Sequence, residues 1–231
     1  MIRTRDKERV RVITIDRPAV RNALRPTDLT ALHAAVDETE QAVAYLHGAG
    51  DAFCAGADLD VIVDLDDPEA FARRGQRTAA AIADAETVVV CGVDGAARGG
   101  GVELALAADI RVATPAATFA EPGVAFGLFG TWGGTVRLPR IMGEGDALDF
   151  ALSGRVFDAD EALRTGLVSR ITGDPRSVAD EIATGKPGTL RTIKRRVRDR
   201  RDETSQEHAE AAAFEELVEL YASEIATDRK Q

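Results

Sequence analysis

Two glycine-bearing segments contain the residues whose types and spacing are best suited to chemistry. The first is FCAGADL, residues 53–59, and the second is GAARGGGVEL, residues 95–104, in which glycines 99–101 precede Glu103. Glycine lets a backbone approach a ligand closely, and the first amides of a helix are free donors that favour negative charge. A helix that begins near Gly100 puts Glu103 on the same face as these amides. An oxyanion stabiliser and a proton carrier would then face one spot.

The second segment also has a purely structural interpretation, a tight turn followed by a solvated or N-terminal capping glutamate. It is not a dinucleotide fingerprint, because Leu104 stands where G-x-G-x-x-G needs its third glycine. Ser153 lies in L-S-G-R rather than in a G-x-S-x-G elbow, so a serine hydrolase is unsupported. The two cysteines and three histidines lack the spacing of metal ligands, and we expect no metal site.

Strands must alternate with helices to position these segments. Apolar and alternating runs predict strands at 10–15, 42–46, 87–93, 109–113 and 167–171. Helical spacing and start signals predict helices at 27–38, from 67 to about 84, and at 102–107. Asp158-x-x-Glu161 is typical of a capping box that starts another helix, and Gly166 is its stop signal. This alternation predicts an α/β fold.

The chain from Pro187 onward is helix-like and highly charged. An apolar stripe within residues 204–226 is formed by Phe214, Leu217, Val218, Tyr221 and Ile225. The region is too short for a core of its own. We therefore expect it to pack on the main body or on a neighbouring subunit.

Composition narrows the class of protein. The 231 residues, 45% of them apolar, suffice for one large domain or two small ones with a sizeable core. There is no apolar run near the ~20 residues that span a bilayer, and the N-terminus lacks the apolar region of a secretory signal. These features predict a cytoplasmic protein with no membrane partner. The net charge of −10 opposes nucleic-acid binding, because phosphates would be repelled.

The balance among charged types adds a hypothesis about the source. Only four of the 29 basic residues are lysine. An acidic surface with scarce lysine suits a cytoplasm of high salt, where repulsion is screened, and predicts a halophile. A GC-rich genome that favours arginine and alanine codons is the alternative.

Six segments resemble the enoyl-CoA hydratase/isomerase (crotonase) family in order and spacing, over about residues 10–171. They are Arg17-Pro18-x-x-Arg21-Asn22-Ala23-Leu24, FCAGADLD (53–60), VDGAARGGGVELALAADIRVA (93–113), TFAEPGVAFGL (118–128), GGTVRLPR (133–140) and LSGRVFDADEALRTGLVSRI (152–171). The resemblance implies a spiral of β-β-α turns over residues 1–175 and a helical region at 176–231 within the same domain. It also implies a homotrimer or a dimer of trimers, an acyl-CoA substrate and no cofactor beyond the coenzyme A of that substrate.

The resemblance assigns roles to individual residues. The amides of Ala57 and Gly100 would form an oxyanion hole for the thioester oxygen as it becomes enolate-like, and Glu103 matches the first catalytic glutamate of the hydratases. The remaining expected substrate-binding residues are Val20, Arg21, Ala23, Ala55, Gly56, Asp58, Leu59, Arg98, Gly99, Pro122, Gly123 and Trp132.

The chain departs from the family pattern at three places in the expected site. Gly123 stands where hydratases carry a second glutamate. Glu121, two residues earlier, would face the same side of an extended chain or instead bond within a loop. Arg98 replaces an apolar residue and would bind a substrate carboxylate or phosphate, or pair with Glu103 or Glu121. Trp132 would shape the acyl pocket or simply pack in the core.

Two further departures concern the charges that would meet coenzyme A. Asp60 stands where a hydratase often has a lysine. The basic run at 194–201 would contact the 3′-phosphate or form a solvated helix face.

The resemblance therefore predicts an acyl-CoA enzyme that hydrates a 2-enoyl-CoA or isomerises its double bond. A single glutamate fits isomerisation at least as well as hydration, since isomerisation needs only one base. Decarboxylation and thioester hydrolysis would use the same oxyanion hole. The alternative from another class is a non-catalytic acyl-CoA-binding protein of the same fold.

Overall fold

The computed structural model describes residues 1–62, 65–199 and 203–228. Within these ranges the strands are β1 Ile2–Lys7, β2 Val10–Ile15, β3 Val43–Gly48, β4 Ala52–Cys54, β5 Val88–Val93, β6 Ala96–Arg98, β7 Ile110–Ala113, β8 Thr118–Ala120 and β9 Arg170–Ile171. The α-helices are α1 Pro26–Asp37, α2 Leu59–Ile62, α3 Pro68–Asp84, α4 Gly100–Ala107, α5 Gly134–Ile141, α6 Glu144–Ser153, α7 Ala159–Arg164, α8 Pro175–Ile182, α9 Pro187–Val197 and α10 Glu203–Asp228. Short 3₁₀ turns are found at Pro18–Val20 and Pro122–Phe126.

The chain winds between two sheets. The larger sheet has the strand order β1-β2-β3-β5-β7-β9, and the smaller has the order β4-β6-β8. Apart from the antiparallel pair β1–β2, neighbouring strands in both sheets are parallel. From β3 to β8, successive strands belong alternately to the larger and the smaller sheet. This arrangement is the expected spiral of β-β-α turns.

The central strand β5 shows why an apolar run forms this sheet. All six of its residues are buried between β3 and β7. Side chains alternate between the faces of a strand. Val89 and Cys91 accordingly join the core formed with the α1 and α3 helices, whereas Val88 and Val90 join a second cluster that includes Val178 of α8. A parallel strand covered on both faces must be apolar throughout.

Most elements expected from the sequence are confirmed within a few residues. Besides β1 and α8, the elements that were not predicted include the three short strands of the smaller sheet and the helices α5 and α6. The charged strand β1 was not predicted; five of its six residues are exposed, and it is held by antiparallel pairing with β2. The last strand covers residues 170–171 rather than 167–171, and α8 was also missed.

The expected capping box at α7 is only half formed. The Asp158 carboxylate accepts a hydrogen bond from the Glu161 N–H at 2.8 Å. The Glu161 carboxylate accepts from the Arg155 guanidinium rather than from the cap backbone. Gly166 follows the end of α7 with a φ of +78°, as expected of a glycine that stops a helix.

The C-terminal helices pack partly on the main body. Lys194 of α9 is buried, and its Nζ lies 2.8 Å from the Thr87 carbonyl and 2.8 Å from Asp109 Oδ2. The prediction of a solvated face over 194–201 is therefore wrong for Lys194, and residues 200 and 201 lie outside the described residues.

The apolar stripe predicted on α10 is described only in part, and its described side chains are exposed or half-buried. Phe214 and Val218 are exposed, and the side chains of Tyr221 and Ile225 lie outside the described residues. The division at residue 175 stays a prediction. Of the helices in the described ranges, none is long and apolar enough to cross a membrane.

Candidate active site

An apolar cavity of about 240 Å³ lies at the meeting point of the two glycine-bearing segments. Its wall is formed by α3, the N-terminal end of α4 and the loops around 55–59 and 121–132. Among the described residues, Glu103 and Glu121 are the carboxyl groups on this wall. The cavity therefore combines an apolar lining with two groups that can carry protons.

Pairing of β4 with β6 brings the two glycine segments into contact. Gly56 has a φ of +86°, and a Cβ atom there would lie 2.6 Å from the Arg98 carbonyl and 3.0 Å from the Gly100 nitrogen. A residue with a side chain would therefore push the segments apart. Both Gly56 and Gly100 line the cavity.

The backbone leaves two amides available in this region. The Leu24 N–H donates to the Gly56 carbonyl and the Asp58 N–H donates to the Leu24 carbonyl, which holds Ala57 between them. Gly100 is the first residue of α4, where a helix has no partner for its N–H. As far as the structure describes the chain, neither the Ala57 N–H nor the Gly100 N–H donates a hydrogen bond. The pair can bind an oxyanion.

Glu103 is held at a fixed point of the wall. Its Oε1 accepts hydrogen bonds from the Trp132 N–H and the Gly134 N–H, both at 2.7 Å. Burial raises the pKa of Glu103, and the two amide donors act in the opposite direction. A Cβ atom at either Gly130 or Gly134 would lie about 3 Å from Glu103 Oε1, so glycine at these two positions permits the close approach of the carboxylate.

Glu121 follows β8 and points into the same cavity. Its side chain is only 6% exposed, and its Oε1 has no hydrogen-bond partner among the described residues. Burial, and then the charge of Glu103, raises the pKa of Glu121 to about 8. Glu121 and Gly123 both line this cavity, which agrees with the expectation that the two positions face the same side of the chain. The alternative, a hydrogen bond within the loop, is not formed by Oε1 in the described part of the chain.

Trp132 belongs both to the cavity wall and to the core. It is 2% exposed and packs edge-on against Phe71 with ring centroids 5.8 Å apart. Gly75 of α3 and Gly100 lie directly against the indole ring, where a Cβ atom at either position would overlap it. Trp132 therefore both lines the cavity and packs in the core, which are the two roles considered from the sequence.

The structure places the predicted site residues in two groups. Those on the cavity wall are Ala55, Gly56, Ala57, Leu59, Gly99, Gly100, Glu103, Pro122, Gly123 and Trp132. Those away from it are Val20, Arg21, Ala23, Asp58 and Arg98. Asp58 is engaged in an ion pair with Arg17 at 3.0 Å.

Arg98 is turned away from both glutamates. Its guanidinium donates to the carbonyls of Ala97 and Thr118 and to Thr118 Oγ1, at 2.8–3.0 Å. Among the described residues it forms no ion pair with Glu103 or Glu121, so that alternative is wrong. Binding of a substrate anion by Arg98 stays a prediction.

Sequence reasoning missed the apolar part of the wall. These residues include Ile62, Leu65, Pro68, Phe71, Ala72, Leu128 and Phe129. One signal was present: Leu128 and Phe129 are large apolar residues in a glycine-rich loop, and both are exposed. Adjacent exposed apolar residues that form part of a larger apolar patch indicate a binding surface.

Comparison with known proteins identifies the family. The sequence model described as enoyl-CoA hydratase/isomerase matches residues 5–227. The chain belongs to the enoyl-CoA hydratase/isomerase family. The resemblance found in the six sequence segments is thereby confirmed, and with it an enzyme of the hydratase/isomerase type.

Individual relatives agree with this assignment. A crotonyl-CoA hydratase of Syntrophomonas wolfei is 37% identical over 183 residues, which cover 76% of this chain and 70% of the relative. A short-chain-enoyl-CoA hydratase of Clostridium acetobutylicum is 32% identical over 202 residues, covering 82% and 77% respectively. The crystal structure of an enoyl-CoA hydratase from Bacillus anthracis superimposes with a TM-score of 0.90 at 26% identity, covering 99% of this chain and 96% of that one.

Among the residues that the structure describes, no group of three or more His, Cys, Asp or Glu side chains could hold a metal ion. Both cysteines are buried thiols, and burial raises the pKa of Cys54 to about 12. Cys54 is therefore poorly suited to act as a nucleophile, because the thiolate is the reactive form.

Proposed function

We propose that the protein is an enoyl-CoA enzyme that adds water to a 2-enoyl-CoA thioester. The observation that carries this proposal is the shared cavity: two unpaired backbone amides and the Glu103 carboxylate lie on one apolar wall. Apolar walls suit an acyl chain, whereas the amides suit a single oxygen that gains negative charge. The hydratase names of the two relatives support the choice of hydration.

The thioester carbonyl would accept hydrogen bonds from the Ala57 and Gly100 amides. These donors stabilise the enolate oxygen more than the ground-state carbonyl, which lowers the barrier. In a cavity that excludes water, each such donor is worth more than in solution. The Glu103 carboxylate would act on a proton of the bound water or acyl chain.

Isomerisation of a 3-enoyl-CoA is the second candidate. It is favoured by Gly123, which leaves no carboxylate at the position expected for the second glutamate. One base can move a proton along an acyl chain while the same amides hold the enolate. Glu103 would then take a proton from C2 and return it to C4.

The test is an absorbance assay of the conjugated enoyl thioester, in high and in low potassium chloride. Loss of absorbance from crotonyl-CoA indicates hydration, and a gain from a 3-enoyl-CoA without that loss indicates isomerisation. Glu103→Gln should lower kcat about 100- to 10,000-fold and retain acyl-CoA binding, since it removes the proton carrier. Glu144→Gln, at an exposed glutamate of α6, is the matched control. Binding without turnover of either substrate would overturn the proposal in favour of an acyl-CoA-binding protein.

We also propose that the active form is a homotrimer or a dimer of trimers. The exposed apolar side chains of Ile193, Val197 and Phe214 on the C-terminal helices support burial against another subunit. Sedimentation velocity of the purified protein tests this: a monomer at micromolar concentration would contradict it.

A further inference from the structure

Glu121 is a buried acid whose Oε1 has no hydrogen-bond partner among the residues that the structure describes. It directly follows β8, whose Ala120 carbonyl accepts the Gly99 N–H at 3.0 Å. This bond holds Glu121 beside the loop that presents the Gly100 amide; a Cβ atom at Gly99 would lie 4.0 Å from Glu121 Oε2. The cavity lined by Glu103 is therefore next to the Glu121 carboxyl group.

The nearby arginine does not neutralise Glu121. Arg98 lies on β6, adjacent to β8, and its guanidinium is bound to Thr118 and Ala97 instead. A buried polar atom with no hydrogen bond destabilises the folded state and is rare in native proteins. Unpaired buried groups that face a cavity are candidates for a functional role.

Position 123 cannot take over this role without a change in the loop. A Cβ atom at Gly123 would lie 2.9 Å from the Leu128 carbonyl oxygen and 3.1 Å from its carbon. A glutamate there would require the backbone at Leu128 to move. The chain thus has no room for a carboxylate at 123 but provides a buried one at 121.

The two carboxyl groups have different surroundings, which suit different tasks. Glu103 Oε1 has two amide donors, which stabilise its charged form. Glu121 Oε1 has none in the described part of the chain. Burial, and then the neighbouring charge of Glu103, favours the neutral form of Glu121 and raises its pKa to about 8. The amide donors make Glu103 the better proton acceptor of the pair, and their absence at Glu121 Oε1 makes Glu121 the better proton donor.

We propose that Glu121 is the second catalytic residue of this site and donates a proton to C2 of the substrate, while water activated by Glu103 attacks C3. This inference rests on the proposed hydration. The water oxygen forms a bond to C3 while Glu103 takes a proton from it. The π electron pair of C2=C3 moves to the enolate oxygen held by the two amides and then forms a C2–H bond with the Glu121 proton. Glu103 loses its proton and Glu121 regains one by exchange with solvent, which restores the starting state.

The test compares wild-type protein, Glu121→Gln, Glu103→Gln and the control Glu144→Gln in crotonyl-CoA hydration between pH 5 and 10. In the wild type, kcat/KM should fall as pH rises through about 8, because Glu121 loses the proton that it donates. Glu121→Gln should lower kcat about 100-fold or more and abolish this alkaline fall, with acyl-CoA binding within about threefold of the wild type. If Glu121→Gln does not fold, as judged by circular dichroism, Glu121→Met replaces it.

The outcomes separate this inference from the proposed function. Wild-type hydration that is lost in Glu103→Gln but retained within threefold in Glu121→Gln, with an unchanged alkaline fall, would overturn the role of Glu121 alone. Absence of hydration in the wild type would overturn both. Loss of activity in Glu121→Gln together with loss of acyl-CoA binding would indicate a structural role and would also overturn the assignment.

Discussion

Two acids that are largely shielded from solvent, Asp109 and Glu121, are treated in opposite ways. Asp109, next to β7, accepts a hydrogen bond from the Val89 N–H at 2.8 Å and forms ion pairs with Lys194 at 2.8 Å and Arg198 at 2.7 Å. Glu121, at the end of β8, has an oxygen with no partner in the described part of the chain. Both oxygens of the Asp109 carboxylate therefore have partners, whereas Oε1 of Glu121 has none among the described residues.

The difference separates structure from chemistry. Asp109 connects the α9 region to the main sheet through its ion pairs with Lys194 and Arg198. A fully paired buried acid with good geometry contributes to holding the tail in one place. Glu121 instead faces the cavity, where a pairing cation would hold it permanently ionised and unable to donate a proton. Leaving Glu121 unpaired lowers the free energy of unfolding.

The largest effect is expected at Glu121 under alkaline conditions. The ordinary pKa of glutamate is 4.5, and in the folded protein it is raised to about 8. Between these values the folded state holds a proton that the unfolded state has lost, so stability falls by about 1.4 kcal/mol per pH unit. Glu121→Gln should remove this loss and be more stable than the wild type by roughly 5 kcal/mol above pH 8.

Urea unfolding at pH 6 and pH 9 measures this difference. The gain of Glu121→Gln over the wild type should grow from pH 6 to pH 9. An equal free energy of unfolding for both proteins at pH 9 would show that Glu121 titrates normally.

The next largest effect is expected at the paired acid. Lys194→Met removes one of the two cations that pair with Asp109. The Asp109 carboxylate still has its ion pair with Arg198 and its hydrogen bond from the Val89 N–H. We expect a loss of about 2–3 kcal/mol, below the range for an entirely unpaired buried charge. Arg195→Met, on an exposed side chain of the same helix, should change stability by about 0.5 kcal/mol at most. Similar values for both variants in denaturant unfolding would mean that the Asp109 cluster does not anchor α9.

A smaller effect is expected where the fold supports Glu103. Gly75→Ala places a methyl group against the Trp132 ring, which should cost about 1–3 kcal/mol by overpacking. Displacement of Trp132 also moves the amide that donates to Glu103, so hydration should fall along with the melting temperature. Gly145→Ala, in α6 with open space around it, should be neutral or slightly stabilising. A Gly75→Ala variant with unchanged melting temperature and turnover would contradict this linkage.

The fold was predictable from sequence where local signals were strong. The buried run of β5 and the Asp67 cap of α3, which accepts the Ala70 N–H at 2.9 Å, match their sequence signals. Strand β1 was not predictable from its pattern, because its charged side chains are exposed and only pairing with β2 makes it a strand. Tertiary contact rather than propensity decided that element.

The site was predictable in part for a comparable reason. Gly100 and Glu103 were predicted because glycine spacing and a helix start are local features, whereas the role of Ala57 came from the family resemblance. The donors to Glu103 come from residues 132 and 134, and no pattern in the sequence connects them to position 103. The orientations of Glu121 and Arg98 depend on the pairing of β6 with β8, which spacing alone does not specify.

The order of the strands has a consequence for synthesis on the ribosome. β2, β3, β5 and β7 lie side by side in the order in which they are made, so each can add to a sheet that has already formed. Glu121 and the loop residues 132–134 that bind Glu103 leave the ribosome after these four strands. A growing chain can therefore assemble most of its apolar scaffold before the two carboxyl groups of the cavity must be enclosed together.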